Sequence, residues 1–256
     1  MSRQFPSLFV SHGAPTLVID QCPTRDFLVG LGRRLGKPRA VVCATAHWTA
    51  SAPMFSAAAR PGTVHDFMGF PDELYRMRYP APGDAGLAGR ARELLAGAGI
   101  DSGLDEVRGL DHGAWVPLML MYPDADVPVV QLSVQPSFSP AAHLALGKAL
   151  APLRDDGVLI LGSGGLTHNL RDLRAPGAPP ASYAAQFAAW AVDMVESGRE
   201  ADLAAYLENG PSGGRNHPTA EHFLPLLVAM GAGRDGKLVH DDMMYGVLSM
   251  GAFAWS

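Results

Sequence analysis

Nine histidines occur in this 256-residue chain. Three of them follow β-rich runs: His12 in LFVSHG, His47 in AVVCATAHW and His168 in VLILGSGGLTH. His112 sits in GLDHGAW, on a loop where a helical pattern begins. His222 falls in PTAEHFLPLLVAM, in the first turn of a segment apolar nearly all round and so expected to be buried. Neutral imidazole is a good ligand for Fe, Zn, Cu or Ni, and ligands far apart in sequence can converge on one ion from separate strand ends. Imidazole also moves protons near neutral pH, its unperturbed pKa being about 6.5. A metal site with an adjoining acid–base group is the chemistry these positions suggest. Taken singly, a histidine beside a strand is usually a hydrogen-bonded structural residue; several at one sheet edge are harder to dismiss.

The other four histidines carry weaker signals. His143, after SPAA, reads as a helix-surface residue, and His240 as a structural one in a C-terminal strand. His65 is next to Asp66 in an aromatic-rich loop, with nothing in the sequence to anchor it. His217, before Pro218, reads as a helix cap or a support for the site.

To bring the first group together, the chain needs a scaffold that gathers strand ends. Short β-rich runs alternate with longer Ala/Leu-rich stretches, the pattern of a single α/β domain over residues 1–256 with a mainly parallel central sheet flanked by helices. Strands are expected at Ser7–Val10, Ala40–Ala44, Val127–Leu132 and Val158–Leu161. Helices are expected at Thr24–Leu35, Gly86–Ala98, Ala114–Met121, Pro140–Leu153, Ser182–Ser197 and Pro218–Met230. The tail KLVHDDMMYGVLSMGAFAW reads as an antiparallel hairpin or sheet edge. In open α/β sheets ligands bind beyond the carboxyl ends of the strands, which is where His12, His47 and His168 fall. Gly13, Gly113, Gly164 and Gly165 would let the backbone turn or approach closely beside them. Residues 60–83, crowded with Pro, Gly and aromatics, read as a wall or lid in which Phe67, Phe70, Tyr75 and Tyr79 cover a planar ligand. Tyr245 offers a further hydroxyl.

Composition narrows the class. Apolar residues make up 48% and charged residues 18%, as in a globular protein rather than a disordered one. No apolar run approaches the roughly 18 residues that span a bilayer, and the N-terminus lacks a secretory h-region, so a cytoplasmic location is expected. A net charge of −5 with scattered basic residues argues against a nucleic-acid partner. Cys22 and Cys43 show no CxxC spacing, which gives neither a disulfide framework nor a thiolate metal site. Ser163 lacks the GxSxG setting of a nucleophile elbow, because position 161 is leucine.

The segments SHGAP, TAHW, DFMGFPDELYRMRYPAPG, GLDHGAWVPL, GSGGLTHNL and NHPTAEHFLPLLVAMGA together resemble the class III extradiol ring-cleavage dioxygenases, in the DOPA 4,5-dioxygenase-like (LigB-type) branch. The resemblance runs from about residue 8 to the C-terminus in the family's order. It implies a non-haem metal at the sheet edge, with His12 and His47 as ligands. The third ligand of the broader class is a glutamate, but this branch points to His222 rather than to the adjacent Glu221. Neighbouring helical residues point about 100° apart, so both would not face one ion equally. The resemblance makes His168 the catalytic histidine and, when zinc fills the site, a further metal ligand; His112 is a second catalytic histidine that binds substrate oxygen. Fe(II) is the metal expected for activity and Zn(II) an alternative occupant, since three histidines depart from the usual two-histidine, one-carboxylate triad. The implied reaction opens a catechol-type ring, that of DOPA being one candidate, with O2. The residues alone leave two other readings open: a zinc-dependent hydrolase on the same histidines, and a non-catalytic protein that binds metal or small aromatics.

Overall fold

In the computed structural model, which describes residues 4–256, an eight-stranded sheet runs through the molecule. Its strands are β1 (Ser7–Ser11), β2 (Ala40–Thr49), β3 (Met54–Ser56), β4 (Gly103–Asp105), β5 (Val129–Val134), β6 (Val158–Gly164), β7 (Lys237–His240) and β10 (Ala252–Trp255). Their spatial order is β4-β3-β5-β2-β6-β1-β10-β7. The central four, β5, β2, β6 and β1, are parallel. At one edge β10 and β7 run antiparallel, and β8 (Met243–Met244) pairs with β9 (Leu248–Ser249) in a separate small hairpin. The expected α/β class and C-terminal antiparallel edge are therefore both present.

The central strands are buried on both faces, so they read as continuous Val/Ile/Leu runs rather than alternating ones. Val10, Val41, Cys43, Leu159 and Leu161 face one layer, and Phe9, Val42, Ala44, Val158 and Ile160 face the other. The first layer holds α1 (Pro23–Leu35) and α4 (His112–Met121). The other face is covered by α3 (Ala85–Gly97), α5 (Pro140–Leu150), α6 (Ser182–Glu196) and α10 (Leu224–Gly231). The shorter α2 (Asp72–Arg76), α7 (Glu200–Ala204), α8 (Tyr206–Asn209) and α9 (Gly213–Asn216) lie in connections. No helix among the described residues is long and apolar enough to cross a membrane.

Two helices differ from expectation because of proline. The segment expected as Pro218–Met230 becomes helical only at Leu224, with Pro225 in the first turn. A helix running unbroken through Glu221 would set the Pro225 ring against the carbonyl of residue 221, so the chain turns there instead. Likewise α5 stops at Leu150 and a 3-10 turn, Ala151–Asp156, follows around Pro152. His143, expected on a helix surface, is fully buried on α5, where its Nε2 accepts from the Gln135 backbone N–H at 3.1 Å.

Candidate metal centre and active site

The carboxyl ends of β1, β2 and β6 open onto a cavity of about 480 Å³ that takes in His12, His47, His112, His168 and His222. His12 follows Ser11, the last residue of β1, and its backbone N–H donates to Gly164 at 3.0 Å. Gly13 then turns away with φ +62°, a left-handed conformation in which glycine carries no steric penalty. His47 sits within β2, because that strand continues past the expected end at Ala44 with an irregular register up to Thr49. His112 opens α4, whose N-terminus is capped by the buried Asp111 accepting from Ala114 N–H. Asp111 also takes hydrogen bonds from Thr45 at 2.7 Å and Arg108 at 3.0 Å, and Arg108 donates to the His47 carbonyl at 3.2 Å.

His222 lies on the turn before α10, pressed against β6. A Cβ at Gly164 would come within 2.1 Å of the His222 carbonyl oxygen, so only glycine lets the two backbones meet. That carbonyl accepts from Gly165 N–H at 2.9 Å. His168 follows four residues after β6, its N–H bonded to Asn216 at 2.9 Å, and its ring stacks on His222 at 3.4 Å and 7°.

The outer nitrogens of three rings have fixed partners. His12 Nδ1 faces Ser163 Oγ at 3.0 Å, and that hydroxyl gives its hydrogen to the Gly113 carbonyl, so Nδ1 of His12 must donate. His47 Nδ1 lies 3.3 Å from Asp66 Oδ2, and His222 Nδ1 lies 3.1 Å from Glu221 Oε1. Carboxylates only accept, which puts the proton on Nδ1 in each ring and a lone pair on Nε2. The three histidines each offer a nitrogen within 4.8 Å of the other two. Nε2 of His12 and His47 are 3.0 Å apart, two acceptors facing each other with no proton to share. A cation between them would remove that repulsion, and converging neutral imidazoles are a donor set that transition-metal ions accept. The donor set fits a metal, with the carboxylate partners that ligand imidazoles usually have.

Burial keeps these rings neutral. His47 is pushed down to about 2 and His168 to about 3, chiefly by desolvation and then by neighbouring imidazoles; His12 and His222 are lowered by the same burial. Asp66 is the residue that sequence reasoning undervalued. Besides facing His47, its Oδ1 lies 3.0 Å from His112 Nδ1 and accepts the His112 backbone N–H at 3.0 Å. Burial alone would raise its pKa, yet the hydrogen bonds and charge interaction with His112 bring it down to about 2. The available signal was indirect: any ligand histidine needs an acceptor behind it. Glu221, weighed as a metal ligand, stands in that supporting place behind His222.

The aromatic loop supplies half of what was expected of it. Phe67 and Phe70 line the cavity, whereas Tyr79 is buried with its hydroxyl on the Tyr122 carbonyl at 3.0 Å. Tyr75 packs within the loop, its hydroxyl 3.4 Å from the Phe70 backbone nitrogen. Tyr245 does reach the cavity, from a left-handed backbone at φ 51° that is costly for a bulky residue. Outside the cavity, His217 bonds the Leu166 carbonyl, His240 stacks on Phe27, and His65 faces the Met77 carbonyl.

The sequence matches the family model described as the catalytic LigB subunit of aromatic ring-opening dioxygenase over residues 6–253. Among its relatives is a 4,5-DOPA dioxygenase extradiol from Beta vulgaris, 43% identical across 98% of this chain and 96% of the relative. A protein of the same name from Escherichia coli K12 is 41% identical across 90% of this chain and 86% of its own. The crystal structure of an uncharacterized protein from Escherichia coli K12 superposes with a TM-score of 0.83 at 35% identity, covering 98% of this chain and all of that one. These relatives favour neither the hydrolase nor the non-catalytic reading. Sheet, histidine cluster and near full-length likeness agree: the chain belongs to the LigB family of aromatic ring-opening dioxygenases.

Proposed function

We propose that this extradiol dioxygenase holds Fe(II) on His12, His47 and His222 and opens the ring of a catechol-type substrate with O2, DOPA being a candidate because relatives bear its name. The observation that carries the ligand assignment is the convergence of three imidazoles whose Nδ1 atoms are committed to Ser163, Asp66 and Glu221. When bound, the iron supplies the redox coupling that lets triplet O2 react with a closed-shell aromatic.

The protein's own residues handle the substrate and its protons. The cavity holds the ring close to the histidines and away from bulk water, which removes much of the entropic barrier. His168, neutral because it is buried, takes a proton from a catechol hydroxyl and returns it as the ring opens. His112, braced by Asp66, binds the substrate oxygen. In the balance, one ring C–C bond beside the diol breaks. One atom of O2 ends in an aldehyde and the other in a carboxyl group, with no external reductant. His168 lies outside the ligand set in this reading; its stacking on His222 places it against the site as a base.

The test is anaerobic reconstitution with Fe(II), followed by catechol with and without oxygen. A yellow semialdehyde with equal uptake of O2 supports the reading. Oxygen-independent ester or amide turnover with Zn(II) would refute it.

A further inference from the structure

Five hydroxyl-bearing residues line the cavity beside the histidines: Ser11, Thr16, Thr167, Tyr245 and Ser249. Three of them are engaged inside the protein. Ser11 Oγ donates to the Gly251 carbonyl at 2.9 Å, Thr167 Oγ1 donates to the Val247 carbonyl at 2.8 Å, and the buried Ser249 Oγ accepts from Gly251 N–H at 3.4 Å. Thr16, in the 3-10 turn Pro15–Val18, and Tyr245 are half-buried, and among the described residues neither hydroxyl has a hydrogen-bond partner.

Tyr245 is held in a strained conformation. It and Gly246 form the centre of the turn between β8 and β9, with φ of 51° and 67°, closed by the bond from Val247 N–H to the Met244 carbonyl at 3.3 Å. Two successive left-handed residues make this a type I′ turn, whose first central position suits Asn, Asp or Gly and strains a tyrosine. The surroundings enforce that backbone: Arg174 N–H donates to the Tyr245 carbonyl at 3.0 Å and Ala181 N–H to the Gly246 carbonyl at 2.7 Å. Tyr245 also packs against the cluster of Ala181, Tyr183, Ala184, Val247 and Leu248. Strain of this kind persists where the structure over-determines it, and it gathers at ligand sites.

Charge decides what such hydroxyls would hold. Among the described residues that line the cavity, none is Asp or Glu. Leu170, 56% exposed, marks the mouth, and beside it the exposed Arg171 has no ion-pair partner among the described residues. The neighbouring Asp172 is taken by Arg215 at 2.8 Å. The field at the mouth therefore favours an anion, and a hydroxyl donates a strong hydrogen bond to a carboxylate. A catechol whose diol faces the histidines leaves its side chain for the two free hydroxyls. Resting on the ring-opening reading, we infer that Tyr245 and Thr16 form a subsite for a carboxylate carried on the side chain of the catechol.

The test compares Fe(II)-reconstituted wild type with its Tyr245→Phe and Thr16→Val variants on three probes: 3,4-dihydroxyphenylpropanoate, 3,4-dihydroxyphenethylamine and 4-ethylcatechol. The probes share the diol and differ chiefly in the charge on a short chain. Each variant should lose about tenfold or more in kcat/KM for the propanoate, mainly through KM. On the amine and on 4-ethylcatechol both should stay within about twofold of wild type. Tyr245→Phe keeps the ring and the turn and breaks no hydrogen bond within the protein, so an unchanged Tm separates this role from a structural one. Calorimetric titration of the same probes under argon should show the same selective loss. Retention of the wild-type value for the propanoate by either variant, or an equal loss on all three probes, overturns the inference and leaves the ring-opening reading intact. If no probe is opened but the argon titrations show the selective loss, the ring-opening reading fails and the subsite stands. Should one variant not fold, the other decides alone.

Discussion

Replacing Gly164 by alanine tests whether the contact between β6 and the turn before α10 positions the metal centre. The added methyl carbon would sit 2.1 Å from the His222 carbonyl oxygen and 3.3 Å from the Pro225 ring. Non-bonded heavy atoms rest about 3.5 Å apart, so the His222 turn must retreat by about 1.4 Å. It would also lose its hydrogen bond from Gly165, now 2.9 Å long. A shift of that size costs about 10²-fold in turnover, and overpacking costs about 1–3 kcal/mol of stability. For a chain of this length that is a fall in Tm of about 2–10 °C. Gly165→Ala is the internal control, because its methyl would meet nothing closer than the Thr167 carbonyl at 3.4 Å. Chelator competition for Fe(II), oxygen uptake with catechol and thermal melts should separate the neighbours, with Gly164→Ala losing metal affinity and turnover and Gly165→Ala keeping its fold and metal. Equal metal affinity and turnover in Gly164→Ala and wild type would refute the reasoning.

Three further outcomes follow. Asp66→Asn keeps the shape but removes the charge behind His47 and His112, so metal affinity or kcat/KM should fall about 10- to 100-fold; an unchanged chelator titration and rate would show that Asp66 is dispensable. His168→Gln should lower turnover by about 10²–10⁴ while bound iron, measured by elemental analysis, stays at the wild-type level; loss of iron would instead make His168 a ligand. Buried His143, its pKa pushed down to about 4, stays neutral in the fold below the pH at which the unfolded chain binds a proton at about 6.5. Its contribution is therefore intact above that value and is lost as pH falls toward 4, about 2 kcal/mol of it between pH 7 and 5. Urea melts should show this loss in wild type and a correspondingly smaller one in His143→Gln.

His12 and His168 were legible because each ends an apolar run at a glycine-rich turn, a pattern the parallel sheet converts into a position. His222 was identified by resemblance, but its local structure was misread, since helical periodicity continues through Glu221 although Pro225 prevents the helix from doing so. Three-residue strands such as β3 and β4 are too short to show alternation. Tyr79 and Phe67 share the same aromatic loop, and composition gives no means of telling the core anchor from the cavity wall. Asp66 was illegible for a similar reason: its value lies in facing two histidines on separate elements, one 46 residues downstream. The buried state of His143 goes with its contact to the Gln135 backbone just beyond β5, a tertiary fact absent from the local pattern.

The strand that carries His12 comes first in the chain, yet it pairs with residues 160–164 on one side and 252–255 on the other. During synthesis it must wait for residues 160–164 before it can pair at all and for residues 252–255 before its other edge is covered, and closing such distant pairings is slow. The three converging imidazoles therefore cannot all be in place in a nascent fragment that stops short of His222. The centre is a late product of folding, gathered from residues 12, 47 and 222 of the chain.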